Sequence, residues 1–385
     1  MMSHNTFDNI RPYFDHEVPA AIARMLNNPQ FQMAMDYLFP SDNHTEIIDR
    51  LMEVDTSYDF QKYFMHRAIN RILELSSKGL SLNSVQLLKD NGPSVLLSNH
   101  RDILLDSAIL QVVLVDLGIE TSEITFGDNL MINDFIIDFG KVNRMFTVYR
   151  GGSPREILKN SQHLSAYIHH TLKEKKRSAW IAQRKGRTKN GLDKTDVGVL
   201  KMLTVFDRKN PIDAFLETNI LPIAISYEWE PCDFFKLREV YLSQKQTYVK
   251  QAGEDLQSVL EGINQQKGRI HLAVGKPVNK FVREHSADIH AQNIHQQVAA
   301  YIDRQVAENY RLYPNNYVAY DLLRAVDSNS EMYTEEDKQA MEIRLGKLYE
   351  FMGAKSDEIK NLYLQMYANP LIQRRQLLSN QAQKL

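Results

Sequence analysis

Between about residues 94 and 275, short continuous apolar runs alternate with stretches in which apolar residues recur every three or four positions. Val95 to Leu97 reads as a buried strand, Ser98 to Arg101 as a polar turn, and Ile103 onward as a helix. Ile124 to Gly127, the run after Gly140 that ends on Arg150, Ser178 to Ala182, Ile220 to Ser226 and Arg269 to Gly275 have the composition of further strands. Helices are predicted over 153–177, with Pro154 in the first turn and cations at the end, and over 254–263. This alternation predicts an α/β domain, a mixed sheet flanked by helices.

The flanks carry a different pattern. Residues 1–90 contain no glycine before Gly79 and read as helices, with amphipathic runs at Pro19 to Leu26, Gln30 to Leu38 and Phe60 to Leu75, the second stopped by Pro40. Beyond Phe281, helical runs return at Ile289 to Tyr310, Glu335 to Met352 and Asp357 to Met366, the last placed before Pro370. The organisation expected is a helical region over 1–90, an α/β domain over 91–280 and a helical region over 281–385. Tyrosines recur in the last region, as either an interfacial belt or packing between helices.

Composition narrows the class. The chain has 385 residues, 43% of them hydrophobic, and a single cysteine, Cys232. A disulfide within the chain and a cysteine zinc site are thereby excluded. The first residues lack the basic and then apolar character of a signal peptide, which favours the cytoplasm. The longest apolar stretch, Ile103 to Ile119, is interrupted by Asp106 and Asp116 and is too short to span a bilayer. Membrane association is expected to be peripheral, at the inner face. Net charge is −2 overall, yet Lys141 to Lys194 holds fourteen Lys or Arg against three Asp or Glu, a local +11. Such a local excess suits a phosphate site or an anionic membrane surface. Nucleic acid is not expected as a partner, because no binding motif accompanies the basic run and the rest of the chain is acidic.

His100 stands at a strand-to-helix corner, the place where α/β domains gather ligands. A carboxylate that accepts from one ring nitrogen fixes the tautomer and leaves the other free to take a proton. Asp102 and Asp106 compete for that role. Asp106 is favoured, because its side chain leans back along the helix toward His100, whereas Asp102 sits where a helix cap would be. Further along, Gly186 in a basic turn allows close approach to an anion, which Arg184, Arg187 and Lys189 can neutralise. His100-Arg101-Asp102 and Asp138-Phe139-Gly140 also spell two protein-kinase signatures. No Gly-rich loop precedes them, and Ser107 stands where a metal-binding Asn is needed, so a kinase is set aside.

Asn99-His100 followed by an Asp resembles the first motif of the glycerolipid acyltransferase superfamily, which acylates glycerol 3-phosphate and lysophosphatidate. That motif places four residues between His and Asp; here five precede Asp106 and one precedes Asp102. The strand ending on Arg150 is similar to the second motif, and Gly186-Arg187 to the third, although Lys185 stands where the family has glutamate. Ile220 to Ser226, with Pro222, is similar to the fourth motif, and Gly275-Lys276-Pro277 also fits. The likeness runs over roughly 91–280. It implies acyl transfer from acyl-CoA or acyl carrier protein to a phosphorylated glycerol or lysophospholipid acceptor. His100 would be the base, and Asp106 or Asp102 its carboxylate. Arg150, Gly186 and Arg187, with Arg144, Arg184 and Lys185, would hold the phosphate. It implies no metal and no cofactor beyond the acyl donor. A lipid-binding scaffold with a lapsed site, or an acyltransferase acting on an amino-lipid or other hydroxyl acceptor, would also accommodate the changed spacing and Lys185.

Overall fold

A computed structural model describes residues 4–251, 253–285 and 290–382. Seven strands form one sheet: β1 (Leu80–Asn83), β2 (Val95–Ser98), β3 (Glu123–Gly127), β4 (Met145–Val148), β5 (Ala179–Ala182), β6 (Ile220–Tyr227) and β7 (Ile270–Val274). Their order is β1-β7-β6-β2-β5-β3-β4. The run from β6 to β4 is parallel, and β7 enters antiparallel to β6 with β1 parallel to it. The molecule is thus an α/β structure with a mixed sheet flanked by helices.

Alternation along each strand sorts residues between two apolar layers. Val95, Leu97, Ala179, Ile181, Ile220 and Ala224 face helices Pro154–Lys173, Val197–Thr204 and Ile294–Asn309. Leu96, Trp180, Leu221, Ile223 and Ile225 face helices His66–Ser76 and Leu105–Asp116. Every residue of β2, β6 and β7 is buried, which accounts for their mainly apolar character, His271 in β7 meeting Ser81 of β1.

Helices Val18–Leu26, Pro29–Leu38 and His44–Met52 build a third core together with Phe135, Phe139 and Val142 of helix Asp134–Val142. A fourth core joins helices Pro314–Arg324, Glu335–Met352 and Asp357–Ala382 to Leu237 of helix Asp233–Lys245.

Three local expectations change. β1 lies inside the stretch expected to be helical, where only the neighbouring β7 gives Leu80 to Asn83 their hydrogen-bond partners. The run Phe60 to Leu75 is helical but contains a π-turn over Gln61–Met65 before helix His66–Ser76. The last helix does not stop before Pro370 but runs through it to Ala382. Pro370 has no N–H for the Met366 carbonyl, and Gly191 fits against that carbonyl so closely that a side chain there would collide with it. The expected start at Ile289 of the first helix beyond Phe281 lies outside the described residues; that helix is observed over Ile294–Asn309. Tyr301, Tyr310, Tyr313, Tyr363 and Tyr367 are buried, so these tyrosines pack between elements. Among the described residues no helix is long and apolar enough to cross a membrane.

Candidate active site

β2 ends at Ser98, and the chain turns through Asn99, His100 and Arg101 before helix Leu105–Asp116 begins. Asn99 fixes this turn to the neighbouring strand. Its Nδ2 donates to the Ile225 carbonyl at 3.0 Å, and its Oδ1 accepts from the Ile225 N–H at 2.8 Å. From the other side, Thr188 N–H donates to the His100 carbonyl at 2.7 Å, seating the basic turn after β5 directly on the histidine.

The His100 ring is buried, and its Nδ1 lies 3.0 Å from Asp106 Oδ2. A carboxylate can only accept, so Nδ1 carries the hydrogen and Nε2 of the neutral ring is left with its lone pair. Nε2 meets no protein partner among the described residues. Asp106 Oδ2 also accepts from the N–H groups of Arg101 at 2.6 Å and Asp102 at 2.9 Å. Its Oδ1 accepts from Tyr227 Oη at 2.9 Å. Burial and the charge of Asp106 raise the Tyr227 phenol well above its ordinary value, so it remains a donor. Trp180 packs edge-on to the imidazole, ring centroids 5.8 Å apart. The histidine is therefore held in one tautomer and one orientation.

Asp102 does not touch the ring. Its Oδ1 caps the incoming helix through Leu104 N–H at 2.9 Å and Leu105 N–H at 2.8 Å, and its Oδ2 is buried without a hydrogen-bond partner. The five-residue spacing works because the chain bends at Ile103 and Leu104 before the helix begins at Leu105, and Asp106 in its first turn meets the ring.

Beneath the turn, Arg101 is only 1% exposed and spans Asp193 Oδ2 at 2.6 Å and Glu230 Oε2 at 3.1 Å. Lys236, equally buried, donates to the Arg101 carbonyl and to Glu230 at 2.5 Å each. Asp193 further accepts from Asn99 Nδ2 at 2.9 Å and Thr188 Oγ1 at 2.8 Å. Arg101, Asp193, Glu230, Lys236 and Tyr227 escaped the sequence reading. They lie 90 or more positions away from the turn or inside it, and only the fold joins them. The one available signal was Tyr227, a polar tip at the end of an apolar strand.

Arg187 is 7% exposed, and its Nη1 is buried without a hydrogen-bond partner; no carboxylate lies within ion-pair distance of it among the described residues. Gly186 beside it takes φ +74°, a conformation that strains a side chain. Arg184 is half-buried and Lys185 exposed, and neither has a hydrogen bond or ion pair among the described residues. Arg150 follows β4 at the same end of the sheet. A Cβ added at Gly127 would stand 2.8 Å from its guanidinium carbon, so the bare glycine lets the arginine lie across the end of β3.

Arg144 belongs elsewhere. It precedes β4 at the amino end of the strands, is 3% exposed, and donates to Glu120 at 2.6 Å and Thr121 Oγ1 at 2.7 Å. Position and pairing both exclude it from a phosphate site beside His100. Lys189, another cation of the basic turn, is paired with Glu239. Burial, with the charge of Asp102, pushes the Cys232 thiol up to about 12, which removes the chain's one thiol as a nucleophile.

An apolar crevice of about 440 Å³, its open mouth included, starts beside the turn at Leu104. Ser107, Ala108, Val112 and Val115 line it from one face of helix Leu105–Asp116, opposite Met65 and Ile69. Leu104 to Val115 extends roughly 16 Å at the helical rise per residue.

No family model and no curated protein matches the sequence. Among solved structures, the chain is similar to the 1-acyl-sn-glycerophosphate (LPA) acyltransferase PlsC from Thermotoga maritima, at 11% identity and a TM-score of 0.37, over 76% of this chain and 94% of that one. That likeness is too slight to argue from, and the functional reading rests on the site itself.

Proposed function

We propose that this chain is an O-acyltransferase, moving a fatty acyl group from acyl-CoA or acyl carrier protein to a hydroxyl of glycerol 3-phosphate or lysophosphatidate in phospholipid synthesis. The His100–Asp106 pair carries the reading. A buried imidazole with Nδ1–H held by a carboxylate and Nε2 unoccupied is a general base in waiting. Nε2 takes the acceptor's hydroxyl proton as the oxygen attacks the thioester carbonyl carbon. The tetrahedral intermediate then expels the thiolate, which receives that proton from the imidazolium. Asp106 stabilises the imidazolium between the two transfers.

Arg187 supports a phosphorylated acceptor. An arginine taken out of water without a carboxylate partner is costly, and an anionic ligand would offset that cost. Arg184, Lys185 and Arg150 add charge around it, and Gly186 lets backbone approach. The acyl chain would lie along the apolar face of helix Leu105–Asp116 beside Leu104, which would have to part from Met65 and Ile69 to admit it.

The test is incubation of purified protein with acyl-CoA or acyl carrier protein and a panel of acceptors: glycerol 3-phosphate, lysophosphatidate, an amino-lipid and a neutral glycerol. Products are read by mass spectrometry, with His100→Ala alongside. Acylated phosphate acceptor from the wild type alone is expected. Binding of lipid with no product on any acceptor would instead identify a lapsed scaffold, and product on the amino-lipid alone would reassign the acceptor.

A further inference from the structure

We propose that Lys236 is a positioning residue for the His100–Asp106 pair, acting through the peptide group that joins Arg101 to Asp102. Asp106 Oδ2 takes two backbone N–H groups, from Arg101 at 2.6 Å and Asp102 at 2.9 Å, and each belongs to a peptide group whose carbonyl is also held. The His100 carbonyl, on the Arg101 peptide, accepts from Thr188 N–H at 2.7 Å. The Arg101 carbonyl, on the Asp102 peptide, accepts from Lys236 Nζ at 2.5 Å. A peptide group is planar, with N–H and C=O pointing in opposite directions, so a cation at the carbonyl polarises the group and strengthens its N–H as a donor. The contacts run without a break from Lys236 through this peptide to Asp106 and on to His100 Nδ1.

Neutralising charge does not account for this lysine. Arg101 already has Asp193 at 2.6 Å. Lys236 and Glu230, 2.5 Å apart and 1% and 3% exposed, are then a second pair taken out of water, and such a pair adds little stability over apolar side chains of similar size. What it adds here is a fixed charge on the turn that bears His100. The helix carrying Lys236, Asp233–Lys245, is itself fixed by helices Glu335–Met352 and Asp357–Ala382. Asp233 accepts from Arg344 Nε at 2.7 Å and Nη2 at 2.8 Å, from Tyr363 Oη at 2.6 Å and from Tyr367 Oη at 2.8 Å, while Tyr367 Oη accepts from Glu230 N–H at 3.1 Å. The C-terminal helical region thereby sets where the ammonium stands. Lys267, equally buried, gives the contrast: its Nζ donates to Ser76 Oγ and the Gln265 carbonyl at 2.8 Å each and to the Ile263 carbonyl at 3.2 Å, none of them in the turn.

Only the kinetic half of the experiment rests on the acyltransferase reading. Lys236→Met keeps an apolar stem and removes the ammonium, and Lys236→Met/Glu230→Gln also removes the charge that the first would strand, so that a folded protein is at hand. NMR on the full chain without substrate follows the His100 Nδ1–H resonance, identified by its loss in His100→Ala. In both variants this proton should exchange with solvent about tenfold or more faster than in wild type, as expected when a charge-assisted hydrogen bond is loosened. With acyl-CoA and glycerol 3-phosphate, both should lose kcat by roughly 10- to 100-fold, the cost of a misplaced base, with the acceptor KM within about twofold. Lys267→Met should lose stability but keep wild-type exchange and kcat at temperatures where it is folded. If Lys236 merely balances Glu230, the double variant, in which charge is balanced again, should recover wild-type exchange and turnover. That recovery, wild-type exchange in Lys236→Met, or equal loss in Lys267→Met would each overturn the proposal. A wild type that transfers no acyl group would overturn the acyltransferase reading alone, since the exchange measurement needs no turnover.

Discussion

The two ends of the sheet treat their cations in opposite ways. At the amino end, Arg144, Lys175 and Arg177 converge on Glu120 and Glu123, with Tyr167 donating to Glu123 at 2.5 Å. Burial and Glu123 raise the Tyr167 phenol well above its ordinary value, so this cluster stays closed. At the carboxyl end, Arg150, Arg184 and Lys185 have no ion pair among the described residues, and Arg187 is buried without a carboxylate. Both groups come from the same basic stretch of sequence. A cation buried with its acid is a strut, while a cation buried without one is prepared for an anion that arrives from outside.

The largest effect should come from the base. His100→Ala is expected to lower turnover by ~10² to 10⁴, the usual cost of losing a general base. Asp106→Asn should fall in the same range, because the amide can donate to Nδ1 and favours the wrong tautomer. Asp102→Ala should keep most activity and lose about 1 kcal/mol of stability through the lost helix cap. The matching change at the amino end, Glu123→Ala, should do the reverse, removing about 1–3 kcal/mol of stability by taking this acceptor from the buried Tyr167 hydroxyl and the part-buried Lys175 and Arg177 while sparing turnover. Steady-state rates and thermal melts on the four proteins check this pairing. Loss of turnover in Glu123→Ala at temperatures where it is folded would erase the contrast.

How much of this could be read in advance follows from what each residue depends on. The mainly apolar strands β2, β6 and β7 announce themselves because burial on both faces is a property of composition. His100 and Asp106 are six positions apart, and a side chain in the first turn of a helix leans back toward the residues before it, so the pairing is legible although the bend at Ile103 and Leu104 that completes it is not. β1 was hidden, since Leu80-Ser-Leu-Asn is too short and polar to signal a strand without β7 beside it. Arg144 and Arg150 look alike in sequence, two arginines bracketing one strand. Only the direction of β4 sends one to the strut and the other to the opening. Asp193 and Tyr227 bind the turn from distant positions, and no local pattern foretells that.

Arg187 should come next in magnitude. Arg187→Met keeps the buried stem and removes the guanidinium, whose Nη1 has no hydrogen-bond partner. Losing a charge-assisted contact to phosphate should raise the acceptor KM by roughly 10- to 100-fold. A neutral acceptor, if turned over, should be unaffected, and stability should hold or improve because a buried charge has gone. Equal weakening for charged and neutral acceptors would assign Arg187 to packing.

The basic turn is braced by the last helix, which predicts a smaller effect at a distance. Gln373 accepts from Asp193 N–H at 3.0 Å and donates to the Asp193 carbonyl, while Asn369 donates to the Asn190 carbonyl at 2.6 Å. Asp193 in turn holds Arg101, Asn99 and Thr188. Gln373→Ala is expected to raise the acceptor KM several-fold with kcat within about twofold, the cost of two hydrogen bonds at about 1 kcal/mol each being shared between loop position and stability. A fall in kcat with KM unchanged would place the effect on His100 instead of the anion loop.

The smallest effect concerns Lys185, the cation at the position where the resembling family carries glutamate. Its side chain is exposed and makes no hydrogen bond or ion pair among the described residues, so it supports nothing in the fold. An ammonium has three donors and no acceptor, and beside Arg184 and Arg187 it can only add positive charge to the opening. Lys185→Glu should therefore leave the thermal melt unchanged and raise the acceptor KM by a few-fold, more for the most anionic acceptor and less at high salt, where exposed charges are screened. If Lys185 instead marks a lapsed site, restoring the carboxylate should increase a weak activity toward glycerol 3-phosphate or lysophosphatidate. Kinetics of both proteins on both acceptors, at low and high salt, separate the outcomes. The intact pairing of His100 with Asp106 and the absence of an ion pair at Arg187 among the described residues favour the first, and a rise in turnover with unchanged acceptor affinity would count against it.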